Sequence, residues 1–354
     1  MDKKENTTGM MSCPLPISDY DAITMAHGGG GKMMNNLIEK MIMHYLSNNM
    51  TSEKHDGAVF NVEGHRLAFT TDSYVVNPVF FPGGNIGELA VYGTVNDLSM
   101  CGAKPLYLSL GLILEEGFLI KDLEKIIISI RDACERTGTK IITGDTKVVD
   151  KGKGDGIFIN TAGIGIVRED INISPSRVEE GDVIIVNGDI GRHGIAIMTT
   201  RENLDIESTI LSDCAPLNHV VQKLIDAGIG IHCLRDLTRG GLGSSVNEIA
   251  SQSQYEIEIE EKSIHVLEEV RGVCEILGFD PIYVANEGRF IAIVKKEDAG
   301  KTLEILKKEA DGKYASIIGA VKGKNKKGLV TLKNLMGSNR ILDMLSGEQL
   351  PRIC

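Results

Sequence analysis

The first half of the chain alternates apolar and polar positions in patterns that predict strands, with helical spacing between them. Residues 58–61 and 66–71 are predicted to form two strands joined by a turn at Glu63-Gly64. Apolar residues at helical spacing predict helices over 33–46, 85–100 and 121–137, and further strands are predicted over 106–114, 140–143 and 157–167. This mixture of elements indicates an α+β unit.

The second half repeats this mixed character after a predicted linker at 172–181, which contains Pro175 and the acids Glu179-Glu180. Apolar runs predict strands at 183–186, 290–294 and 316–321 and a helix at 263–277, and the basic segment 322–327 is expected to be a solvated loop. A chain of 354 residues is long for one core. We therefore predict a disordered segment at 1–20, domains at 21–170 and 180–345, and a mobile tail at 346–354.

Composition excludes several classes of function. A net charge of −11 argues against nonspecific binding to nucleic acid, which depends on surplus Lys and Arg. No apolar run is long enough to span a membrane, and the polar first thirteen residues lead us to expect no secretory signal. Seven cysteines without CxxC pairs are typical of reduced thiols, so the predicted compartment is the cytoplasm.

Three acids occupy positions in the first predicted domain where a metal could be bound. Asp72 and Asp145 follow predicted strands, and Asp97 lies on the helix predicted over 85–100. Carboxylates from separate elements suit Mg²⁺, which bridges to nucleotide phosphates. Any one of these acids is more simply explained as a turn cap. Taken together, with Lys147 two residues beyond Asp145, they favour a phosphate site.

A glycine run, His27-Gly28-Gly29-Gly30-Gly31, precedes Lys32. It is not a Walker A loop, because Ala26 and Met33 occupy positions at which that motif requires other residues. We expect a flexible loop whose backbone N–H groups could close over phosphates, with His27 and Lys32 contributing charge or proton donors. A plain linker is the alternative.

Two polar motifs of the second half carry further candidate chemistry. The segment Arg235-Asp236-Leu237-Thr238-Arg239-Gly240-Gly241-Leu242 combines arginines, a hydroxyl and paired glycines before a predicted helix, which suits polyphosphate. A capped helix start would explain it equally well. The segment Asn286-Glu287-Gly288-Arg289 is a charged turn unless Glu287 faces the cleft.

Cys354, the last residue, is the most unusual candidate. An exposed thiol is a liability that proteins normally avoid, and a prenylation box would place Cys four residues from the end. The adjacent α-carboxylate disfavours the thiolate, and Arg352 offsets this only in part. Such a thiol suits a group acceptor, and a tail starting near Ser346 could sweep about 30 Å. We therefore interpret the tail as a swinging arm.

Several of these motifs, together with others in the chain, resemble one family. The chain from residue 21 to 354 is similar to the HypE family of hydrogenase maturation proteins, the carbamoyl dehydratases. The matching motifs are the glycine run, Thr71-Asp72-Ser73, 93–105, Gly144-Asp145-Thr146-Lys147, 235–242 and the ending Pro351-Arg352-Ile353-Cys354. All but the ending are shared in kind with a wider superfamily of ATP-using enzymes related to aminoimidazole ribonucleotide (AIR) synthetase, also called PurM-like.

The resemblance implies an α+β, two-domain PurM-like fold whose first domains pair in a homodimer, with ATP and Mg²⁺ as cofactors. HypF would load a carbamoyl group onto Cys354, and the HypC–HypD complex would receive cyanide for the iron of a [NiFe] hydrogenase. Glu287 matches the proposed base and Lys147 its proposed partner. The implied metal ligands are Asp72, Asp97, Asp145 and Asp236. The implied nucleotide-binding residues are His27, Gly28, Gly29, Gly30, Gly31, Lys32, Asn96, Thr146, Arg235, Thr238, Arg239, Gly240 and Gly241.

Two other functions fit the same residues. The chain could be a PurM-like kinase or synthetase, such as selenophosphate synthetase or thiamine monophosphate kinase, in which Cys354 is incidental. It could also be a noncatalytic binding protein that uses nucleotide to move the tail and deliver a preformed group. The first alternative predicts that Cys354→Ala leaves turnover intact, and the second predicts that a loaded tail loses no water with Mg-ATP.

Overall fold

The computed structural model describes residues 21–48, 55–201, 209–346 and 352–354. Its first element is a 3₁₀ helix at Met25–Gly28. Helix α1 (Lys32–Leu37) then continues through a π-helical turn at Ile38–Ile42 into α2 (Met43–Leu46), so that one helical stretch covers the predicted 33–46. The predicted disorder at 1–20 falls outside the described residues.

The first domain is built on a five-stranded sheet. Its strands, with a small hairpin formed by β3 and β4, are β1 (Ala58–Val62), β2 (His65–Tyr74), β3 (Phe80–Phe81), β4 (Gly84–Asn85), β5 (Ala103–Glu115), β6 (Lys140–Val149) and β7 (Ile157–Val167). The sheet order is β1-β2-β7-β5-β6. Strand β6 pairs parallel to β5 and forms one edge, while the other described pairs of this sheet are antiparallel.

Helices α3 (Ile86–Met100) and α4 (Ile120–Thr137) cover one face of this sheet. Asn85 caps α3 by accepting hydrogen bonds from the backbone N–H groups of Gly87 and Glu88, which explains why the helix begins where the spacing predicted. Side chains alternate between the faces of a strand. The face away from the helices exposes the apolar residues Phe69, Tyr107, Ile113 and Ile166, and the edge strand β6 exposes Ile142 and Val148.

Among the described residues, the second domain contains a seven-stranded sheet and five α-helices. The strands are β8 (Val183–Val186), β9 (Ile231–Asp236), β10 (Tyr255–Glu260), β11 (Phe290–Val294), β12 (Ser316–Lys324), β13 (Leu329–Lys333) and β14 (Asn339–Ile341). The helices are α5 (Arg192–Arg201), α6 (Asn218–Asp226), α7 (Gly241–Ser253), α8 (Glu268–Leu277) and α9 (Ala299–Lys307). The order of the strands is β14-β13-β10-β12-β8-β11-β9.

Both faces of the second sheet are buried, because alternate residues of β8 belong to different apolar clusters. Ile184 packs with Leu242 of α7, whereas Ile185 packs with Leu224 of α6. Helix α3 of the first domain contacts β9 and α6 of the second. This contact places the two domains against each other where β9 ends at Asp236.

Two predicted strand ends were wrong. Strand β2 extends through Asp72, and β6 extends through Asp145 and Lys147, so these residues lie within strands and not after them. The ladder continues because β7 and β5 offer backbone partners over the added length. Asp145 and Lys147 are tolerated in β6 because their side chains are exposed at the sheet edge.

Three further expectations also changed. The helix predicted at 263–277 begins at Glu268, because Ile264 and Leu267 have extended backbones that follow a short 3₁₀ turn at Glu261–Ser263. The basic segment is partly strand, since β12 runs to Lys324, which pairs with Tyr255. The predicted linker contains a 3₁₀ turn, Pro175–Arg177, and buries neighbouring apolar side chains against the second domain. Within the described part of the chain, no helix is long and apolar enough to span a membrane.

Candidate active site

A cluster of three carboxylates lies where the domains meet. Asp97 belongs to α3, Asp236 ends β9, and Asp56 lies just before β1. One carboxylate oxygen from each lies within 4.8 Å of the others, so that these atoms could hold a metal ion. Thr70 orients the group by donating its hydroxyl to Asp97 Oδ2 at 2.8 Å.

Desolvation and mutual repulsion destabilise the ionised form of this carboxylate cluster when no cation is bound. Burial raises the pKa of Asp97 well above its usual range, and neighbouring Asp236 and Asp56 raise it further. Burial also raises the pKa of Asp236 to about 6. Within the described residues, Asp56 Oδ2 and Asp236 Oδ2 have no hydrogen-bond partner. Free oxygens on hard, acidic ligands fit a divalent cation such as Mg²⁺.

Asp56 is a site residue that sequence reasoning missed. Its carboxylate forms an ion pair with Arg235 Nη1 at 2.7 Å, and the same guanidinium forms a second ion pair with Glu248 of α7 at 2.5 Å. The available signal was an acid at the end of a predicted strand, although Asp56 precedes its strand whereas Asp72 was predicted to follow one. Arg235, which was predicted to bind nucleotide, is therefore placed between two acids and orients one member of the cluster.

Asp72 and Arg239 lie beside the cluster. Arg239 Nη2 is 3.8 Å from Asp72 Oδ1, and the charge of Asp72 contributes to the raised pKa values of Asp97 and Asp236. Thr238 donates its hydroxyl to Asp236 Oδ1 at 3.4 Å. The structure thus brings together three of the four predicted metal ligands.

Asp145, the fourth predicted ligand, lies on the exposed edge strand with Thr146 and Lys147. The ammonium of Lys147 contacts both carboxylate oxygens of Asp145 at 2.7 Å, and both side chains are more than two-thirds exposed. None of the contacts of Lys147 within the described residues reaches Glu287 or Cys354. Within one copy of the chain, therefore, these three residues are not placed with the acidic cluster.

The glycine run packs against the 235–242 motif. Gly30 has a φ of +73°, and a Cβ added there would lie 2.6 Å from the carbonyl oxygen of Arg239. Gly240 meets Gly30 in the same way, since its added Cβ would lie 2.7 Å from the Gly30 oxygen. Gly241 begins α7. Close approach of the two backbones therefore requires glycine on both sides.

The remaining residues of this N-terminal segment have contacts of their own. The run begins within the 3₁₀ helix at Met25–Gly28 and leads directly into α1, where a flexible loop was expected. His27 is buried and hydrogen-bonds Thr24, and Lys32 pairs with Asp343 at 2.7 Å.

Glu287 faces the cleft from a buried turn before β11. Its backbone N–H donates to Asp213 Oδ1 at 3.3 Å, and Asn96 Nδ2 donates to its carbonyl oxygen at 3.2 Å. Asn96 Oδ1 in turn accepts from the backbone N–H of Leu217 at 2.8 Å. Asn96, which was predicted to bind nucleotide, therefore holds backbone segments of the second domain against α3. Burial, followed by the charges of Asp236 and Asp72, raises the pKa of Glu287 well above its usual range.

The last three residues fold back into this cleft. The Val75 N–H donates to a main-chain oxygen of Cys354 at 3.0 Å, and Ile353 is buried in an apolar cluster to which both domains contribute. Burial raises the pKa of the Cys354 thiol to about 12, against the opposing influence of Arg239; the charges of Glu287 and Asp72 raise it further. The thiol, the buried carboxylate of Glu287 and the acidic cluster thus occupy one cleft.

Family models and solved structures define the class of protein to which this fold and site belong. The model of the AIR synthase related protein N-terminal domain matches residues 54–167, and the model of its C-terminal domain matches residues 179–331. The chain is therefore an AIR-synthase-related protein, with the two-domain α+β fold that the sequence predicted.

Individual relatives define the family more narrowly. Carbamoyl dehydratase HypE of Azotobacter vinelandii is 46% identical over 333 residues, which cover 94% of this chain and 97% of that protein. The corresponding protein of Escherichia coli strain K12 is 43% identical over 337 residues, covering 94% and 99%. The chain belongs to the HypE family of carbamoyl dehydratases and is an enzyme.

Solved structures agree with this assignment. A HypE–HypF complex matches with a TM-score of 0.82 and 45% identity, covering 87% of this chain and 99% of that chain. HypE in complex with ATP matches with a TM-score of 0.79 and 44% identity, covering 94% and 100%. Thiamine monophosphate kinase of Aquifex aeolicus has a TM-score of 0.61 at 17% identity, which shows the fold alone.

Proposed function

We propose that this enzyme uses ATP to dehydrate a carbamoyl group carried on Cys354, which converts the thiocarbamate to a thiocyanate and supplies cyanide for the iron of a [NiFe] hydrogenase. The observation that carries the proposal is the position of residues 352–354, which lie in the cleft; we call this arrangement the seated tail. Its sulfur lies in the same cleft as Glu287 and Arg239, whose charges shift the pKa of its thiol, and the carboxylate cluster lies alongside. The membership of the HypE family supports the same reaction.

The carbamoyl oxygen is a poor leaving group, which is why ATP is needed. Transfer of the γ-phosphoryl group to that oxygen turns the loss of oxide into the loss of phosphate, with ADP as the first product. The nitrogen then gives up two protons, the C–O bond breaks and the C≡N bond forms. The ATP-bound HypE structure supports ATP as the substrate of this chain.

Asp56, Asp97 and Asp236 fit Mg²⁺, because one oxygen from each converges on the others and because burial, together with their neighbouring acids, raises their pKa values. When bound, the ion would neutralise charge on the phosphates. Asp72 and Arg239 lie at the rim of the cluster, where Arg239 can pair with phosphate oxygens. The adjoining backbones of the glycine run and Gly240 supply N–H donors at the same place.

Glu287 is the proposed base that removes protons from the nitrogen. Its carboxylate is buried beside acids, so its raised pKa gives it the proton affinity that an ordinary Glu lacks near neutrality. Lys147, the proposed partner in catalysis, is exposed with Asp145 and Thr146 on the edge strand. We propose that these residues complete the site of a second copy in a homodimer formed through the exposed sheet face.

HypF is the proposed donor of the carbamoyl group, and the solved HypE–HypF complex supports this partner. The HypC–HypD complex is the proposed acceptor of the cyanide. Loading by HypF requires the tail to leave the cleft, because Ile353 is buried and the adjacent Cys354 thiol is desolvated when the tail is seated.

Intact mass spectrometry tests the reaction. The chain is incubated with HypF, carbamoyl phosphate and ATP, and then with Mg-ATP alone. We expect the C-terminal peptide to gain the mass of one carbamoyl group and then to lose one water. Loading without loss of water would support the noncatalytic delivery protein, and turnover that survives Cys354→Ala would support a small-molecule kinase or synthetase.

Substitutions separate loading from dehydration. Glu287→Gln and Lys147→Ala should accept the carbamoyl group and fail to lose water. Glu309→Gln is a matched control, because Glu309 forms an ion pair with Lys223 on the surface of the second domain. Dehydration at the normal rate in both site variants would remove Glu287 and Lys147 from the mechanism.

A further inference from the structure

The C-terminal residues are held in the cleft by hydrogen bonds to their main-chain oxygens. The Arg352 carbonyl oxygen accepts hydrogen bonds from the Asn77 N–H at 3.3 Å and from Arg201 Nη2 at 2.6 Å. A main-chain oxygen of Cys354, part of its α-carboxylate, accepts from the Val75 N–H at 3.0 Å. Each of these main-chain oxygens therefore has a fixed donor, and residues 75–77 hold the tail through backbone hydrogen bonds.

His193 binds the carbonyl group of Ile353, the residue between Arg352 and Cys354. Its Nε2 lies 2.6 Å from the Ile353 oxygen, and its Nδ1 lies 2.8 Å from Ser212 Oγ. Ser212 Oγ also accepts the backbone N–H of Cys214 at 3.0 Å, so its own proton is available for Nδ1. A carbonyl can only accept, and the hydrogen of a neutral ring therefore lies on Nε2. Burial lowers the pKa of His193, which keeps the ring neutral.

The same Nε2 faces a second acceptor. Glu287 Oε1 is 4.0 Å away, and among the described residues this buried oxygen has no hydrogen-bond partner. His193 itself is fully buried, so an Nε2–H that loses the Ile353 carbonyl must find another acceptor nearby. Glu287 Oε1 is close enough to take that role after a small movement of either side chain.

We propose that His193 is a positioning residue that donates its Nε2–H to Ile353 when the tail is seated and to Glu287 when the tail leaves. This inference rests on the proposed function of Glu287 as the base. A donor to the ionised carboxylate lowers its proton affinity. Seating of the tail withdraws that donor, so Glu287 becomes a stronger base only when the carrier sulfur is in place.

The first measurement is protection of the tail. Cys354 is alkylated with iodoacetamide in the uncarbamoylated full chain, and its modification is followed on the C-terminal peptide. His193→Phe keeps a ring against Phe81 but removes the donor, and we expect Cys354 to react roughly tenfold faster. His219→Phe is the control, because His219 also donates Nε2 to a carbonyl, that of Arg136, at an exposed site. Equal protection in the two variants would overturn the role of His193 in seating.

Ser212→Ala provides a second variant in case His193→Phe does not fold. Without the hydroxyl donor the ring can place its hydrogen on Nδ1, which leaves Nε2 unable to donate. We expect faster alkylation of Cys354 than in wild type, by a smaller factor than in His193→Phe. Unchanged alkylation in a folded Ser212→Ala chain would contradict the assigned tautomer.

The second measurement tests the exchange of acceptors. The infrared band of the protonated Glu287 carboxyl group, assigned by its loss in Glu287→Gln, is titrated in four full-length chains: wild type, Ile353→Asp, His193→Phe and the double variant. Ile353→Asp unseats the tail because that side chain is buried in an apolar cluster. Ile353→Val is its matched control.

We expect Ile353→Asp to lower the apparent pKa of Glu287 by roughly one unit more in the wild-type background than in the His193→Phe background. Solvent entering the cleft acts in both backgrounds and cancels. The other groups that face Glu287 are Asp72, Asp213, Cys214, Asp236, Arg239 and the seated Cys354. The first five are present in all four chains, and Cys354 leaves with the tail in both Ile353→Asp chains, so that its effect cancels as well. Equal shifts in both backgrounds would overturn the exchange.

These results are independent of catalysis. If wild type loses no water from a loaded tail, the proposed function fails while the alkylation and titration experiments still report on His193. If wild type dehydrates normally and both experiments show no effect of His193, only the present inference fails. If both hold, dehydration in His193→Phe should be slower by roughly tenfold at unchanged ATP affinity, since the ring does not touch the carboxylate cluster.

Discussion

The carboxylates of Asp56, Asp97 and Asp236 show how single residues determine what this cleft can bind. Charges of the same sign held this close in a desolvated site are unfavourable unless they share protons or a cation. Raised pKa values in all three residues are the consequence of that arrangement. A divalent cation would offset this repulsion, and loss of one carboxylate should therefore change the metal dependence of turnover before it changes folding.

Asp56→Asn tests the member that the sequence did not reveal. The amide keeps the shape and a hydrogen-bond acceptor but removes one negative charge, so we expect the Mg²⁺ concentration for half-maximal ATP turnover to rise roughly ten- to hundredfold. Turnover is measured across a Mg²⁺ titration, with thermal melting in the absence of metal as a check on folding. Asp170→Asn, at an exposed ion pair with Arg168, should behave as wild type. An unchanged titration would exclude Asp56 as a ligand.

The carrier thiol makes a prediction about pH. Burial raises the pKa of seated Cys354 from 9.0 to about 12, so the seated form holds its proton more tightly than the free tail. Seating is therefore favoured below pH 9 and is progressively lost as pH rises from 9 towards 12. The pH–rate profile of Cys354 alkylation should show a higher midpoint in wild type than in Ile353→Asp. Identical midpoints would mean that the thiol is not desolvated in solution.

At the scale of elements, the sequence predicted what depends on local pattern and missed what depends on distant partners. Helix α3 was predicted because its apolar spacing is a local signal, and the Asn85 cap that starts it is a local contact as well. The extents of β2 and β6 were missed because their ladders are set by β7 and β5, which lie elsewhere in the chain. Asp56 escaped notice for the same reason, since its partner Arg235 comes from the other domain.

Strand β9 and helix α7 hold the cluster through Arg235. Arg235→Met leaves the carboxylates of Asp56 and Glu248 without their shared cation, and we expect a loss of about 3 kcal/mol in the free energy of unfolding. Urea denaturation measures it. Arg168→Met is the control, because Arg168 bridges Asp170 and Asp226 on the surface and should change stability little. Comparable losses in both variants would show that Arg235 does not support a buried network.

At the scale of the whole molecule, the two domains supply different parts of one site. Asp97 and the tail-binding residues Val75 and Asn77 come from the first domain, whereas Asp236, Glu287 and His193 come from the second. The sequence predicted two domains and a C-terminal tail long enough to swing between sites. It could not predict that the seated tail is bound through its main-chain oxygens, because backbone hydrogen bonds leave no pattern in the amino-acid sequence.

The edge strand β6 remains outside this arrangement, which makes the proposed homodimer testable by complementation. If Lys147 acts on the tail of a second copy, a Lys147→Ala chain and a Glu287→Gln chain can together form one complete site per mixed dimer. Each variant alone should fail to dehydrate its loaded tail. After subunit exchange, about one quarter of all sites should recover, the statistical share for random pairing of two chains. If Lys147 served the site of its own chain, every site in the mixture would lack one of the two residues and dehydration would stay absent.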